Sequence, residues 1–491
     1  MSQTVGVNKG RHEQLPFDAW RSCAVAADVA AASHAHGEAL AARQRRRLSE
    51  LLAAAARGSR LYGDILRGLD TSALPLARLP IMHKSELMGR FDDWVTDPDL
   101  HLDALQAFTA DAARIGDPFL GRYTVWESSG SSGEPGIFVQ DPAAMAVYDA
   151  LEALRRPVLR PLQQWLDPWG WQQRSAFVGA IDGHFASIVS IERLRRLNPV
   201  LGARMHGLSF LQPLGELVAQ LNALAPSVLA TYPTAAVVLA EERLAGRLTI
   251  DLREVWTGGE SLSPAMRRFV QDAFGCPVAD SYGASEFLSL ASECRSGGLH
   301  LNSDWVILEP VDDRGRPVPP GVPGCTTLLT NLANHVQPLI RYDLGDRVTL
   351  HAQRCACGSH LPRIDVEGRA DDMLRLQAAD GRTVRVLPLA LSTVLEDQAG
   401  LFDFQLVQQG PRELLLRTGM GGAAARSTMR HARATLCTFL ASQGLAGMRV
   451  HCRCDEPGQC GRSGKVRRIV SAMPCAGRVA ESVRHQHRHR H

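Results

Sequence analysis

Ser128-Ser129-Gly130-Ser131-Ser132-Gly133-Glu134-Pro135-Gly136 lies between two short apolar and aromatic runs, Tyr123 to Trp126 and Ile137 to Val139. Hydroxylated residues and glycines between strand-like runs make a loop whose backbone N–H groups and hydroxyls can both approach a phosphate chain closely. Read alone, the stretch serves as well for a flexible linker or a hairpin turn. Five later segments of the chain decide between these possibilities.

Downstream come Thr257-Gly258-Gly259-Glu260, then Asp280-Ser281-Tyr282-Gly283-Ala284-Ser285-Glu286, Ile340-Arg341-Tyr342-Asp343-Leu344-Gly345-Asp346 and Glu367-Gly368-Arg369-Ala370-Asp371-Asp372-Met373-Leu374. Near the C-terminus stands Gly461-Arg462-Ser463-Gly464-Lys465-Val466-Arg467-Arg468. This ordered series resembles the core motifs of the adenylate-forming superfamily, and most closely its phenylacetate-CoA ligase-like branch. The resemblance runs from about Tyr123 to Arg468.

Composition sets compatible bounds. A chain of 491 residues with 45% hydrophobic content exceeds one compact core, so at least two domains are expected. Lysine plus arginine (54) against aspartate plus glutamate (51) leaves +3, too near balance to argue for nucleic acid or a membrane surface. No apolar run reaches the roughly 18 residues of a membrane span, and Met1 to Glu13 is polar without a signal core, so membrane insertion is not expected. The expectation is a cytoplasmic enzyme, as a monomer or a homodimer. The 11 cysteines, several in close pairs, fit reduced thiols and metal ligation better than a disulfide framework.

Alanine, leucine and arginine at helical spacing from Ala24 to Leu69 predict a helical start, punctuated by Gly58 and Gly63. Between Arg174 and Gly283, β-type runs (Ser175 to Ile181, Ser227 to Tyr232, Glu254 to Trp256, Val278 to Ser281) alternate with helical ones (Leu214 to Leu224, Thr234 to Leu244, and one entering at Pro264). That alternation predicts a layered α/β domain with a largely parallel sheet, whose ligands bind beyond the carboxyl ends of the strands. Shorter runs with Asp/Gly/Pro turns past Leu299 predict a β-rich subdomain over about 300–365. The whole reads as an α/β adenylation domain over 1–369 and a small mobile α+β lid domain over 370–480, with a helix from about Thr428 to Ala441. The stretch 481–491, a histidine and arginine tail, is expected to be disordered.

The resemblance implies a role for each motif. Adenylation requires a carboxylate to attack the α-phosphorus of ATP and expel pyrophosphate, so three phosphates must be held and their charge neutralised. Ser129, Ser131, Ser132 and Gly133 would clasp the β- and γ-phosphates; many superfamily members carry lysine where this chain has Glu134, which removes one positive charge. Gly259 and Glu260 would lie against the adenine, with Tyr282 stacked opposite and Gly283 leaving room. Ser285 would contact the α-phosphate, and Glu286 would hold Mg2+ as a hard oxygen ligand. Asp346 would accept from the ribose hydroxyls and Arg369 would add a donor. Asp371 would be the hinge of the lid, and Lys465 the ammonium that reaches both substrate carboxylate and α-phosphate. A Walker loop is excluded at Gly464-Lys465, because Val466 comes next.

Three features stand beside that set. Cys294, His300, Cys355 and Cys357 would complete a tetrahedral structural Zn2+ site, a set similar to one in some phenylacetate-CoA ligase-like proteins; four unliganded loop residues are the alternative. Cys452, Cys454 and Cys460 are read as free thiols. His184, in Asp182-Gly183-His184, would line the acid pocket or serve as a hydrogen-bonded structural residue. The glycine-asparagine turn that comes after the hinge in phenylacetate-CoA ligases is missing; Ala379-Asp380-Gly381-Arg382 reads as an Asp-Gly hairpin. The expected activity is therefore an ATP-dependent acid ligase forming an acyl-adenylate of a small aromatic acid and passing it to coenzyme A. Delivery to an amine or carrier-protein thiol, or a catalytically silent nucleotide-binding protein, are the alternatives.

Overall fold

The computed structural model describes residues 17–72, 74–128, 136–157, 159, 173–181, 183–209, 212, 214–369, 374–386, 391, 394–401, 403–458 and 468–471. The chain opens with α1 (Ala19–Ser33), α2 (Gly37–Gly58) and α3 (Arg60–Ile65). Asp18 caps α1 through the Arg21 N–H, and Ser59 caps α3 through the Tyr62 N–H, so each entry satisfies a backbone donor that the helix leaves open. Leu51, Leu52 and Ala55 bury one face of α2. On that same helix Arg47, 2% exposed, reaches Asp28 and the fully buried Asp304. Short helices α4 (Lys84–Gly89), α5 (Phe91–Trp94) and α6 (Leu102–Thr109) come next, then the antiparallel pair β1 (Thr124–Glu127) and β2 (Ile137–Gln140) that flanks the Ser/Gly loop.

After α7 (Pro142–Arg155) comes β3 (Ser175–Gly179), then α8 (Ala186–Leu197), α9 (Pro199–Gly202), β4 (Met205–Ser209), α10 (Leu214–Leu224), β5 (Val228–Thr231), α11 (Pro233–Leu244), β6 (Glu254–Gly258), α12 (Pro264–Phe274) and β7 (Val278–Ala284). Proline at the first turn of α11 and α12 starts each helix where its missing N–H costs nothing. Strands β4, β3, β5, β6 and β7 lie side by side and parallel, the layered arrangement expected of that alternation. Their shared direction gathers the residues after β5, β6 and β7 at one edge.

From β7 the sheet turns antiparallel through β8 (Phe287–Glu293) and β9 (Leu299–Leu301). Three further strands, β10 (Val306–Val311), β11 (Thr326–Asn331) and β12 (Tyr342–Asp343), form a separate sheet. β13 (Asp346–Leu350) and β14 (Arg363–Arg369) return to the main one, giving the 9-stranded order β13-β14-β9-β8-β7-β6-β5-β3-β4. The β-rich region expected over about 300–365 is thus not one sheet of its own: half of its strands extend the α/β sheet through the pairing of Arg363 with His300.

The C-terminal part has its own core, built from Leu374, Leu376, Leu406, Leu416, Leu436 and Ile469 among others. Its elements are the hairpin β15 (Leu374–Gln377) with β16 (Thr383–Val386), the strands β17 (Gln405–Gly410), β18 (Glu413–Arg417), β19 (Arg449–Arg453) and β20 (Ile469–Ser471), and α13 (Gly422–Ser442). α13 begins six positions before the expected Thr428, because the alanine run 423–425 extends the helix to Gly422. The hairpin expected at Asp380-Gly381 is present, with Gly381 at φ +83°, a left-handed turn position that suits glycine. Arg468 Nη1 lies 3.5 Å from Met266 Sδ on α12, one contact between this part and the large one. Among the described residues no helix is long and apolar enough to cross a membrane. The tail expected over 481–491 lies outside them.

Candidate active site

At the carboxyl end of β6 the backbone turns through Gly259 at φ +77°, and Glu260 is next. Glu260 Oε2 accepts from the Thr234 N–H (3.2 Å) and Oγ1 (2.8 Å) at the start of α11, so the carboxylate also caps that helix. Its Oε1 is buried with no hydrogen-bond partner among the described residues.

The strand beside it carries the densest set. β7 and β8 are joined by the turn Ser285–Glu286, and the register shifts at Gly283. A Cβ on Gly283 would sit 2.1 Å from the Leu288 carbonyl oxygen, so only glycine fits. Trp126 Nε1 on β1 donates to the Ser285 carbonyl (2.8 Å), and Asn331 Nδ2 donates to the Glu286 carbonyl (3.0 Å), which pins the turn from two sides. Glu286 is 9% exposed, and its Oε1 accepts from the Tyr342 hydroxyl at 2.8 Å. Its Oε2 makes no hydrogen bond among the described residues. One carboxylate oxygen is therefore fixed by the tyrosine.

Tyr282, two residues before the tip of β7, donates its hydroxyl to Asp346 Oδ2 at 2.7 Å. Asp346 is buried and pairs with Arg369 across the β13–β14 ladder. Sequence positions 282, 346 and 369, far apart in the chain, meet at one place. Asp280, three residues before Gly283, faces the interior: Thr257 Oγ1 donates to its Oδ1 at 2.7 Å, and burial pushes its carboxyl up to about 7.

Several expected residues lie elsewhere. Ser129, Ser131, Ser132 and Gly133 of the loop, the hinge Asp371 and Lys465 fall outside the described residues. His184 is fully buried, its Nε2–H donating to the Asp111 carbonyl (3.0 Å) and its ring set edge-on to Phe108. A cavity of about 240 Å³ nearby is lined by Ala112, Ile115, Ile181, Ile188, Glu192 and Gly207 rather than by His184. The structural alternative for this histidine fits its surroundings better than a pocket role.

Two side chains at this edge were not singled out in the sequence. Tyr342 lies inside a motif whose aspartate draws the attention, and Lys84 Nζ, 44 positions before Ser128, donates to the Ser128 hydroxyl at 2.9 Å. Arg341, beside Tyr342, is anchoring: it sits at φ +49° with its guanidinium on Glu309 and the Leu79 carbonyl.

Away from this edge, Cys294, His300, Cys355 and Cys357 bring one ligand atom each within 4.8 Å of one another. Cys294 Sγ lies 3.7 Å from Cys355 Sγ, and Cys357 Sγ lies 3.3 Å from His300 Nε2. Tetrahedral zinc with its usual bond lengths sets such separations at roughly 3.5–3.8 Å. His300 Nδ1–H donates to the Leu361 carbonyl (2.8 Å), which leaves Nε2 for a metal. The Cys357 N–H draws the Cys355 thiol down to about 6, while burial pushes Cys357 up to about 11. The 7 residues of β8 separate Glu286 from Cys294. At about 3.3 Å per residue that is over 20 Å, so the cluster lies well apart from the Glu286 turn.

Residues 200–326 match the family model described as AMP-binding enzyme. That stretch, about a quarter of the chain, resembles an AMP-binding enzyme domain, and the chain as a whole has the fold of the solved acid-CoA ligases. A 2-hydroxyisobutyryl-CoA ligase in its postadenylation state superposes with a TM-score of 0.62 at 19% identity, covering 95% of this chain and 94% of that one. An anthranilate-CoA ligase bound to anthranoyl-AMP superposes at 0.50 and 17% identity, over 70% of this chain and 65% of its own. In sequence, the chain is 28% identical to Protein CapK of Staphylococcus aureus over 135 residues, 27% of this chain and only 28% of the length of that relative.

Proposed function

We propose that the chain is an ATP-dependent acid ligase of the phenylacetate-CoA ligase-like kind, which activates a small, first of all aromatic, carboxylic acid as its acyl-adenylate. The observation that carries this reading is the meeting of two hydroxyl–carboxylate pairs, Tyr342 with Glu286 and Tyr282 with Asp346, at the carboxyl end of the parallel strands. A purine needs a flat neighbour, a ribose needs a carboxylate with two acceptor oxygens, and a triphosphate needs a metal-bearing carboxylate. Tyr282, Asp346 and Glu286 supply them in that order.

In the first half reaction a carboxylate oxygen of the acid attacks the α-phosphorus; the new O–P bond forms as the bond to pyrophosphate breaks. The Gly259 turn would leave the adenine room beside Glu260, Gly283 would let the backbone come close, and Ser285 would face the α-phosphate. Mg2+, held by Glu286, would screen the charge of the phosphates. Ser129, Ser131, Ser132 and Gly133 would clasp the terminal phosphates, Arg369 would add a donor to the ribose or phosphates, and Lys465 would stabilise the charge that develops in transfer. Rotation at Asp371 would then exchange the lid for the second half reaction, transfer to coenzyme A. Zn2+ would hold the Cys294, His300, Cys355 and Cys357 loops together.

A second acceptor has one observation in its favour. The segment after the hinge is a closed Asp-Gly hairpin, and Gln408 ties it to β17 by accepting from the Arg375 N–H (3.2 Å) and donating to the Arg375 carbonyl (2.6 Å). A free amine asks less of that segment than a pantetheine arm does, whether the arm belongs to coenzyme A or to a carrier protein.

The test is pyrophosphate release with ATP and Mg2+ across aryl, arylacetic, fatty and amino acids, with and without coenzyme A, beside Lys465→Ala. Acid-dependent release that falls about a hundredfold or more in the variant is expected. ATP binding without release for any acid overturns the reading in favour of a silent nucleotide binder.

A further inference from the structure

The four ligand atoms of the Cys/His cluster do not share their contacts evenly. Cys294 Sγ lies 3.7 Å from Cys355 Sγ, while Cys357 Sγ lies 3.3 Å from His300 Nε2, so the cluster divides into a pair of sulfurs and a sulfur with an imidazole. We propose that Cys294 and Cys355 are an oxidation site, a dithiol that peroxide closes into a disulfide, and that this bridge takes the place of the metal ion. Only the exchange rests on the zinc reading; the pairing of the two sulfurs does not.

Both sulfurs are placed by backbone that needs no metal. The Cys294 N–H donates to the Gly298 carbonyl (2.8 Å) and its carbonyl accepts from the Gly297 N–H (2.9 Å), which makes a tight turn at the end of β8. A Cβ at Gly298 would lie 3.5 Å from Cys355 Sγ, so the second sulfur rests on that same turn. The two sulfurs must close from 3.7 Å to about 2.05 Å, a movement of side chains rather than of strands. Each is half-buried, within reach of a small oxidant. Cys357 is the competing partner, but only Ala356 separates it from Cys355, so a bridge there would close a tight ring, and His300 already engages its sulfur.

One thiolate attacks a peroxide oxygen; the O–O bond breaks, and a sulfenic acid and hydroxide result. The second sulfur then attacks the first, and the S–S bond forms as hydroxide leaves. In sum the two thiols give up two protons and two electrons, and the peroxide becomes two waters. Cys357 and His300 alone cannot complete a tetrahedral zinc site, so the ion is released. The bridge ties the same two loops that the metal would tie. Leu361, whose carbonyl holds His300, packs with Ala32 and Leu40, and the His360 ring stands edge-on to His36 at 5.2 Å, so the seat of α1 and α2 should survive the exchange.

The full chain is treated with hydrogen peroxide, its remaining thiols are alkylated, and tryptic peptides are mapped by mass spectrometry while a chromogenic chelator reads released Zn2+. Cys355 and Cys357 share one tryptic peptide, so variants assign the link. A cross-linked peptide containing Cys294 is expected, kept in Cys357→Ser and absent in Cys294→Ser and Cys355→Ser. Zinc should leave in step with the link, dithiothreitol should reverse both, and the bridged chain should melt within a few degrees of the untreated one. Fragment ions of the wild-type link make the same assignment should a serine variant fail to fold. A link that persists in Cys355→Ser, sulfinic or sulfonic acids without any link, or a link formed while zinc stays bound overturns the proposal. A chain purified without metal removes the zinc reading and the exchange with it, and the peptide map then decides the sulfur pair by itself.

Discussion

Replacing Tyr342 by phenylalanine removes one oxygen from the site and little else. The ring is 3% exposed in the large hydrophobic core and keeps its packing in the variant. The lost group donates to Glu286 Oε1 at 2.8 Å, and Glu286 is itself only 9% exposed, so no bulk water stands ready to replace it. A hydrogen bond to a charged group contributes about 1.5–3 kcal/mol, and each 1.4 kcal/mol is about a factor of ten. If Glu286 holds magnesium against the phosphates, Tyr342→Phe should raise the half-saturating Mg2+ concentration and slow adenylation by about ten- to a hundredfold together. Acid-dependent pyrophosphate release, titrated with Mg2+ at saturating ATP, measures both. The melting temperature should move by only a few degrees, because the hydroxyl ties a turn that Trp126 and Asn331 also hold. Unchanged Mg2+ dependence and rate in Tyr342→Phe, with Glu286→Gln likewise active, would refute the assignment of Glu286.

Purified protein is expected to carry one zinc per chain by elemental analysis; Cys355→Ser should lose it and lower the melting temperature, and a metal-free protein of unchanged melting temperature would rule the structural zinc out. Asp304→Ala leaves the buried Arg155 guanidinium without its carboxylate and Arg47 with Asp28 alone, so a thermal or denaturant melt should show a loss of about 3–5 kcal/mol. Asp304→Ala melting like the wild type would show that those arginines find other partners. Asp280 holds its proton up to about pH 7 in the fold but only to about 4 in the unfolded chain, so its stabilising contribution is whole below about pH 4 and is lost as the pH rises through 7. Asp280→Asn should therefore flatten the fall in melting temperature between pH 5 and pH 8, and parallel wild-type and variant curves would contradict the raised value.

What the sequence disclosed most fully was local. Proline starts, alternating runs and glycine turns lie within a few residues of the elements they make, so β5, α11, β6 and α12 fall close to where their residues predict them. Candidate residues within one motif were equally easy to place together, since Gly283 and Glu286 share a single hairpin. Pairings across the chain were not: Tyr342 and Glu286 are 56 positions apart, and nothing in either motif states that one hydroxyl must meet the other carboxylate. The return of β13 and β14 to the main sheet was hidden for a similar reason, because turn-rich strands carry no mark of which edge they join. The cysteines and histidine of the candidate metal cluster were visible as residue types, whereas their convergence comes from the pairing of β14 with β9, a fact of topology.

That same topology separates the two halves of the chemistry. Among the described residues, the hydrogen bonds that hold Glu260, Tyr282, Glu286 and Asp346 come from Thr234, Asp346 and Tyr342 of the large part. The β15–β16 hairpin belongs to that second core and is tied to it by Gln408. Substitutions in the first group should therefore lower acyl-adenylate formation by the same factor whichever acceptor is offered. Altering the hairpin, as by Gly381→Val at its left-handed position, should leave pyrophosphate release intact and change only the rate at which the adenylate is consumed. A hairpin variant that slows release as much as consumption would mean that the two cores act as one body in the first step, and the division drawn from their separate packing would fail.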